Sequence, residues 1–121
     1  MGLLDFISNT EETRENHPRR EFKTRYFRCG YTKTKEAIIK YAEANDIGVR
    51  DINDTHGEIY LQTRAYHMMI SIIQVTPLES AVDVKVQSYR PIGFFKPRKL
   101  ITALYEELKD KLQFKGAGLH P

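Results

Sequence analysis

The sequence predicts an α+β two-layer sandwich with a mainly antiparallel sheet, in the order strand, helix, four strands, helix. Three observations carry that prediction. Ala81-Val-Asp-Val-Lys-Val-Gln-Ser-Tyr89 alternates apolar and polar residues, the period of two of a half-buried strand. The strands in the middle of the chain are separated only by short turn sequences, so neighbours pair as an antiparallel meander. Leu100, Leu104, Leu108 and Leu112 recur at helical spacing beside Ile101 and Tyr105, which makes an amphipathic helix with one core stripe.

The elements follow in order. Residues 1–21 read as a short apolar turn (Leu3, Leu4, Phe6, Ile7) and then a flexible polar arm, because Ser8 to Glu21 contains no apolar residue. Residues 22–115 form the single domain, and 116–121 a loose tail. Phe22–Cys29 is the first strand, broken by Gly30. Thr32 is placed to cap a helix running to about Asp46, with Ile38, Tyr41 and Ala42 on its apolar stripe and Gly48 as its stop. Val49–Asn53 is a short strand. Asn53-Asp-Thr-His-Gly57 makes a hairpin turn, with Gly57 free to take positive φ. Glu58–Ala65 and Tyr66–Val75 are the next strands, the second apolar on both faces and therefore central. Pro77 turns the chain into Ala81–Tyr89. Pro97 suits the start of the last helix, Leu100–Phe114, because its missing N–H has no partner to lose there. Both helices are expected on one sheet face, packed on Val82, Val84 and Val86.

The 121 residues suit one domain, and 40% apolar with 29% charged residues suits a globular chain. No apolar run reaches the roughly 20 residues of a bilayer span. The start lacks the basic region of a signal peptide, and the lone Cys29 excludes an internal disulfide, so a cytoplasmic location is expected. Net charge is +3 but unevenly spread: Arg14–Lys35 holds eight lysines and arginines against two acids, Glu36–Asp83 three against eight, and Val84–Tyr105 five against none. Convergence of the two basic segments would give the protein one basic face.

Candidate sites lie at the margins of this scaffold. Arg90, Lys96, Arg98 and Lys99 cluster around Gly93 before a helix N-terminus, where free N–H groups attract anions, and Phe94 and Phe95 would line the mouth of an apolar or anionic ligand site. The plain alternative is a solvated loop. The sheet face away from the helices would carry Tyr60, Arg64, Met69, Ile73 and Lys85, a mixture suited to a partner protein or a second copy. Aromatic and basic residues there also permit weak nucleic-acid binding, the third reading. The basic arm (Arg14, Arg19, Arg20, Lys23, Arg25, Arg28) can meet phosphates but equally keeps the arm soluble. His17, His56, His67 and His120 show no metal-ligand spacing. Asp51, Asn53, Asp54 and Glu58 suit a hairpin better than a calcium loop, and Cys29 reads as a small buried hydrophobe. No cofactor, metal or catalytic residue is expected. The leading functional expectation is a non-enzymatic interaction module, with homodimerisation through the open face or a sheet edge, ahead of a small-ligand binder.

The element order resembles the TATA-binding-protein-like fold and an abbreviated helix-grip domain. Phe22-Lys-Thr-Arg-Tyr, Gly57-Glu-Ile-Tyr-Leu, Tyr66-His-Met-Met-Ile and Ala81-Val-Asp-Val-Lys-Val-Gln are similar to a family of small cytosolic proteins of Gram-positive bacteria. The likeness spans most of residues 22–112. Its motifs are structural and imply no activity and no site residue.

Overall fold

The alternating segment forms the long strand β6. The structure, a computed structural model, describes residues 10–89 and 96–119. Its strands are β1 (Thr10–Glu12), β2 (Arg25–Phe27), β3 (Gly48–Asn53), β4 (Glu58–Gln62), β5 (Tyr66–Thr76), β6 (Glu79–Ser88) and β7 (Phe114–Ala117). Its helices are α1 (Tyr31–Ala44) and α2 (Lys96–Lys111). The described residues thus give an α+β sandwich with one seven-stranded sheet, ordered β3-β4-β5-β6-β2-β7, and β1 also pairs with β6. The pairings are antiparallel, and β3 to β6 form the expected meander.

Strand parity sorts the sheet residues. Ile59, Leu61, Met68, Ile70, Ile72, Val82, Val84 and Val86 share one buried cluster with Ile38, Tyr41 and Ala42 of α1 and with Ile101, Leu104, Tyr105 and Leu108 of α2. Each such aliphatic residue contributes about 1.5–3 kcal/mol when fully buried. Residues of the opposite parity, among them Tyr60, Met69, Ile73, Asp83 and Lys85, stay outside that cluster. They form the outer face.

The polar segment read as a flexible arm is different from that expectation. Thr10–Glu12 is a strand, and it lies along the same edge of β6 as β2 does: Thr10 faces Gln87 and Glu12 faces Lys85, then Arg25 faces Val82 and Phe27 faces Ser80. β1 and β2 are two halves of one interrupted strand. The intervening residues leave the sheet and return, and the base of this excursion is closed by Arg14 N–H to Phe22 O (3.1 Å) and Thr24 N–H to Arg14 O (3.1 Å). Phe22 therefore ends a short 3₁₀ turn, Arg20–Phe22, rather than opening a strand, and its ring enters the core. The polar composition hid this because the segment's contribution to the fold is mainly through hydrogen bonds.

Three further boundaries move. Thr32 does not cap α1; Gly30 holds the N-cap position, and Gln74 Oε1 of β5 accepts from Tyr31 N–H at 3.0 Å. A Cβ on Gly30 would stand 2.7 Å from Pro77 O, so glycine is needed where the β5–β6 turn approaches. Gly48 does not stop the helix either. Asp46 takes the left-handed conformation (φ 54°), Ile47 N–H closes onto Ala42 O at 2.8 Å, and Gly48 is already in β3. Finally, the tail read as loose includes Gly116 and Ala117 in β7, which pairs with β2 and is continued by Gly118 N–H to Thr24 O at 2.8 Å. The Asn53–Gly57 turn behaves as expected: Gly57 has φ 67°, and Asn53 Oδ1 accepts from His56 N–H at 3.1 Å.

Candidate functional site

The pairing register lays the outer face out in rows. One row runs Asp51, Tyr60, Met69, Lys85, Glu12 across five strands. The next runs Asn53, Glu58, Ser71, Asp83. A third runs Ile73, Ala81, Tyr26, Gly116. Tyr60, Met69, Ile73 and Lys85, expected together on this face, do share it, with Tyr60, Met69 and Lys85 in one row and Ile73 two rows away. Arg64 is not: it sits exposed in the turn between β4 and β5. Tyr60 OH donates to Glu58 Oε1 at 2.8 Å. Ile73 is 60% exposed although its strand lies inside the sheet, and Val75 and Leu78 continue the exposed apolar line into the β5–β6 turn.

Beside Ile73 the face is hollow. A concavity of about 450 Å³ is lined by Arg14, Glu15, Thr24, Tyr26, Ile73, Val75, Ala81 and Asp83. The excursion between β1 and β2 supplies its rim (Arg14, Glu15), and Ile73, Val75 and Ala81 supply an apolar wall. Tyr26 OH lies 2.6 and 2.9 Å from the two Glu15 carboxylate oxygens. Burial, the Glu15 hydrogen bond and the negative charges of Glu15, Asp83 and Glu79 all push the Tyr26 hydroxyl well above its ordinary pKa, so it stays a donor.

Asp83 is where the interrupted strand is pinned. Asp83 Oδ1 accepts from Thr13 Oγ1 and from Thr24 Oγ1, each at 2.7 Å. Thr13 Oγ1 in turn accepts from Val84 N–H at 2.8 Å. Tyr105 OH on α2 reaches both Val82 O (2.8 Å) and Thr13 Oγ1 (3.0 Å). The Thr13 hydroxyl thus serves the ladder where the strand breaks. Burial raises the Asp83 pKa; the two threonine hydroxyls oppose that, while the nearby Glu15 and Glu12 carboxylates add to it. The hollow is consequently rich in acceptors and negative charge beside an aliphatic wall. That combination suits a cationic or donor group carried on an apolar stem.

The basic cluster near the last helix resolves differently. Arg98 Nε donates to Glu11 Oε2 at 2.8 Å, and its guanidinium lies 5.5 Å from the Phe22 ring centroid. His17 packs edge-on against Phe22, accepts from Arg19 N–H through Nδ1 at 3.0 Å, and holds Nε2 3.5 Å from Glu11. The two basic segments therefore meet at Arg98 and Phe22, but through Glu11, which neutralises the contact. Lys99 is exposed on α2. Arg90, Phe94 and Phe95 lie outside the described residues, as does the Lys96 side chain.

A second hollow, about 400 Å³, opens between the helices and is lined by Lys33, Lys40, Tyr41, Glu107, Lys111 and their neighbours. Cys29 is buried with Sγ 3.0 Å from Thr34 Oγ1. Among the described residues no group of three or more His, Cys, Asp or Glu is placed to hold a metal ion, and no helix is long and apolar enough to cross a membrane.

Sequence reasoning missed Thr13 and Thr24 as the donors to Asp83, and the Tyr26–Glu15 pair beside it in the hollow. One signal was available. A carboxylate in the middle of an inner strand needs donors, and the polar segment before β2 contains the threonines that provide them. No protein-family model matches this chain, and no curated protein matches it in sequence.

Proposed function

We propose that this chain is a non-enzymatic interaction module that takes a partner protein, or a second copy, on its outer sheet face. The observation that carries the reading is Ile73, an aliphatic side chain 60% exposed on an inner strand, beside the acceptor-rich hollow around Glu15 and Asp83. Exposed apolar surface rimmed by polar groups is the common form of a contact surface. The hollow adds chemical direction. A lysine or arginine of the partner would set its methylenes on Ile73 and Val75 and its head toward the carboxylates.

A photo-reactive residue in place of Ile73 tests this in cells. The expected result is a discrete cross-linked product that Asp83→Asn or Glu15→Gln weakens and that the same probe at Glu43 of α1 does not give. Absence of any product specific to position 73, together with strictly monomeric light scattering at high concentration, refutes the reading.

A further inference from the structure

The sheet ends at β3, and that edge complements itself. β3 is the terminal strand of the order and pairs only with β4 among the described strands. Its residues from Gly48 to Asp51 are exposed, Val49 by 38%. The register against β4 shifts between Val49 and Asp51, so Arg50 is the extra residue of a bulge. The Ile52 N–H is not spent on β4; it donates to Asp51 Oδ1 of its own chain at 2.9 Å. Val49 and Ile52, which face Leu61 and Ile59 of β4, therefore flank the bulge on the core side of a free edge.

We propose that two copies of this chain pair β3 with β3, antiparallel about a two-fold axis between Arg50 and Asp51. That register sets Val49 opposite Ile52, Gly48 opposite Asn53, and Arg50 opposite Asp51, with the apolar and the charged pairs each occurring twice by symmetry. Neighbouring registers fail chemically. Centring the axis on Arg50 or on Asp51 opposes like charges, and moving it one residue further sets Val49 against Arg50 or Asp51 against Ile52. A bulge and adjacent charges are also devices that guard an edge against pairing. Here the charges are mutually complementary, and pairing releases what guards the edge: Ile52 N–H exchanges the Asp51 carboxylate for a backbone carbonyl of the second copy, and Asp51 turns to the incoming Arg50. Val49 and Ile52 of the two copies then extend both cores across the junction. A strand of six residues makes a small contact, so the association belongs to the weak, transient class.

The inference rests on a different surface from the outer-face reading, and a charge-swap experiment separates them. Sedimentation of the full chain is followed up to millimolar concentration at low salt. Wild type associates reversibly. R50D and D51R each weaken self-association roughly tenfold or more, because each turns both cross-strand pairs into like-charge pairs. An equimolar mixture of R50D with D51R regains association as a heterodimer, since every pair across that junction is again Arg with Asp. The double swap R50D/D51R regains self-association, and Ile73→Glu leaves it unchanged. Circular dichroism confirms that each variant is folded. A wild type that stays monomeric at millimolar concentration overturns the proposal. So do single variants that associate as wild type, or a mixture that does not recover. Association abolished by Ile73→Glu but indifferent to residues 50 and 51 overturns it in favour of the outer face.

Discussion

Thr13→Val removes one hydroxyl and keeps the side chain's shape, and the structure gives the consequences. The Thr13 oxygen accepts from Val84 N–H at 2.8 Å, lies 3.0 Å from Tyr105 OH, and donates to Asp83 at 2.7 Å. Thr13 is 6% exposed and Val84 1%, so water does not replace these bonds freely. An abandoned buried donor costs about 1–3 kcal/mol, and a hydrogen bond to a charged group contributes about 1.5–3 kcal/mol. Asp83 is only partly buried, which discounts its share. The expected loss is about 3 kcal/mol, or roughly 10–20 °C in Tm for a domain of this size. Thr13→Ser keeps the hydroxyl and should lose less than about 1 kcal/mol.

The loss also has a pH signature. Asp83 has a raised folded-state pKa because burial disfavours its carboxylate. Its contribution therefore favours folding when protonated, and stability falls as pH climbs from the ordinary value near 3.8 through the raised folded value. The Thr13 hydroxyl stabilises the charged form, so Thr13→Val should cost more at pH 8 than at pH 4. Urea unfolding at both pH values measures this. A Thr13→Val variant that melts within a degree or two of wild type, or that loses stability equally at both pH values, refutes the role given to this hydroxyl.

Two other substitutions test the frame. Val84→Asp places an unpaired carboxylate at a site 1% exposed inside the core cluster, and it should abolish the cooperative thermal transition; a melting curve like that of wild type would sink the assigned faces. Gly57→Ala forces a Cβ to within 2.2 Å of Ile72 O at φ 67°, so the β4–β5 start must shift, at a cost of about 2–4 kcal/mol by calorimetry. An alanine variant within about 0.5 kcal/mol of wild type would show that the turn relaxes freely.

Much of the fold was legible because the signals are local. Period-two alternation sorted Val82, Val84 and Val86 from Lys85 and Gln87, and the leucine spacing marked the last helix before any contact was known. The helix ends were less legible. Thr32 and Gly48 have the right chemistry for a cap and a stop, yet Gln74 and Asp46 do that work, since an acceptor from a distant strand and a tolerated left-handed aspartate are not local patterns. The site was legible in half. Tyr60, Met69, Ile73 and Lys85 follow from strand parity. Glu15 does not, because it stands in a polar excursion that leaves no periodic trace, and Tyr26 does not, because Arg25-Tyr26-Phe27 is too short a strand to show a clean alternation.

The sequence by itself determined which residues alternate inward, and so the sandwich and its two sheet faces, because burial of apolar side chains acts through the fixed periods of strand and helix. Only the tertiary structure decided that the polar segment before β2 belongs to the sheet. It is held there by hydrogen bonds from Thr13 and Thr24 to Asp83, and polar partners distant in sequence carry no periodicity that would announce them in advance.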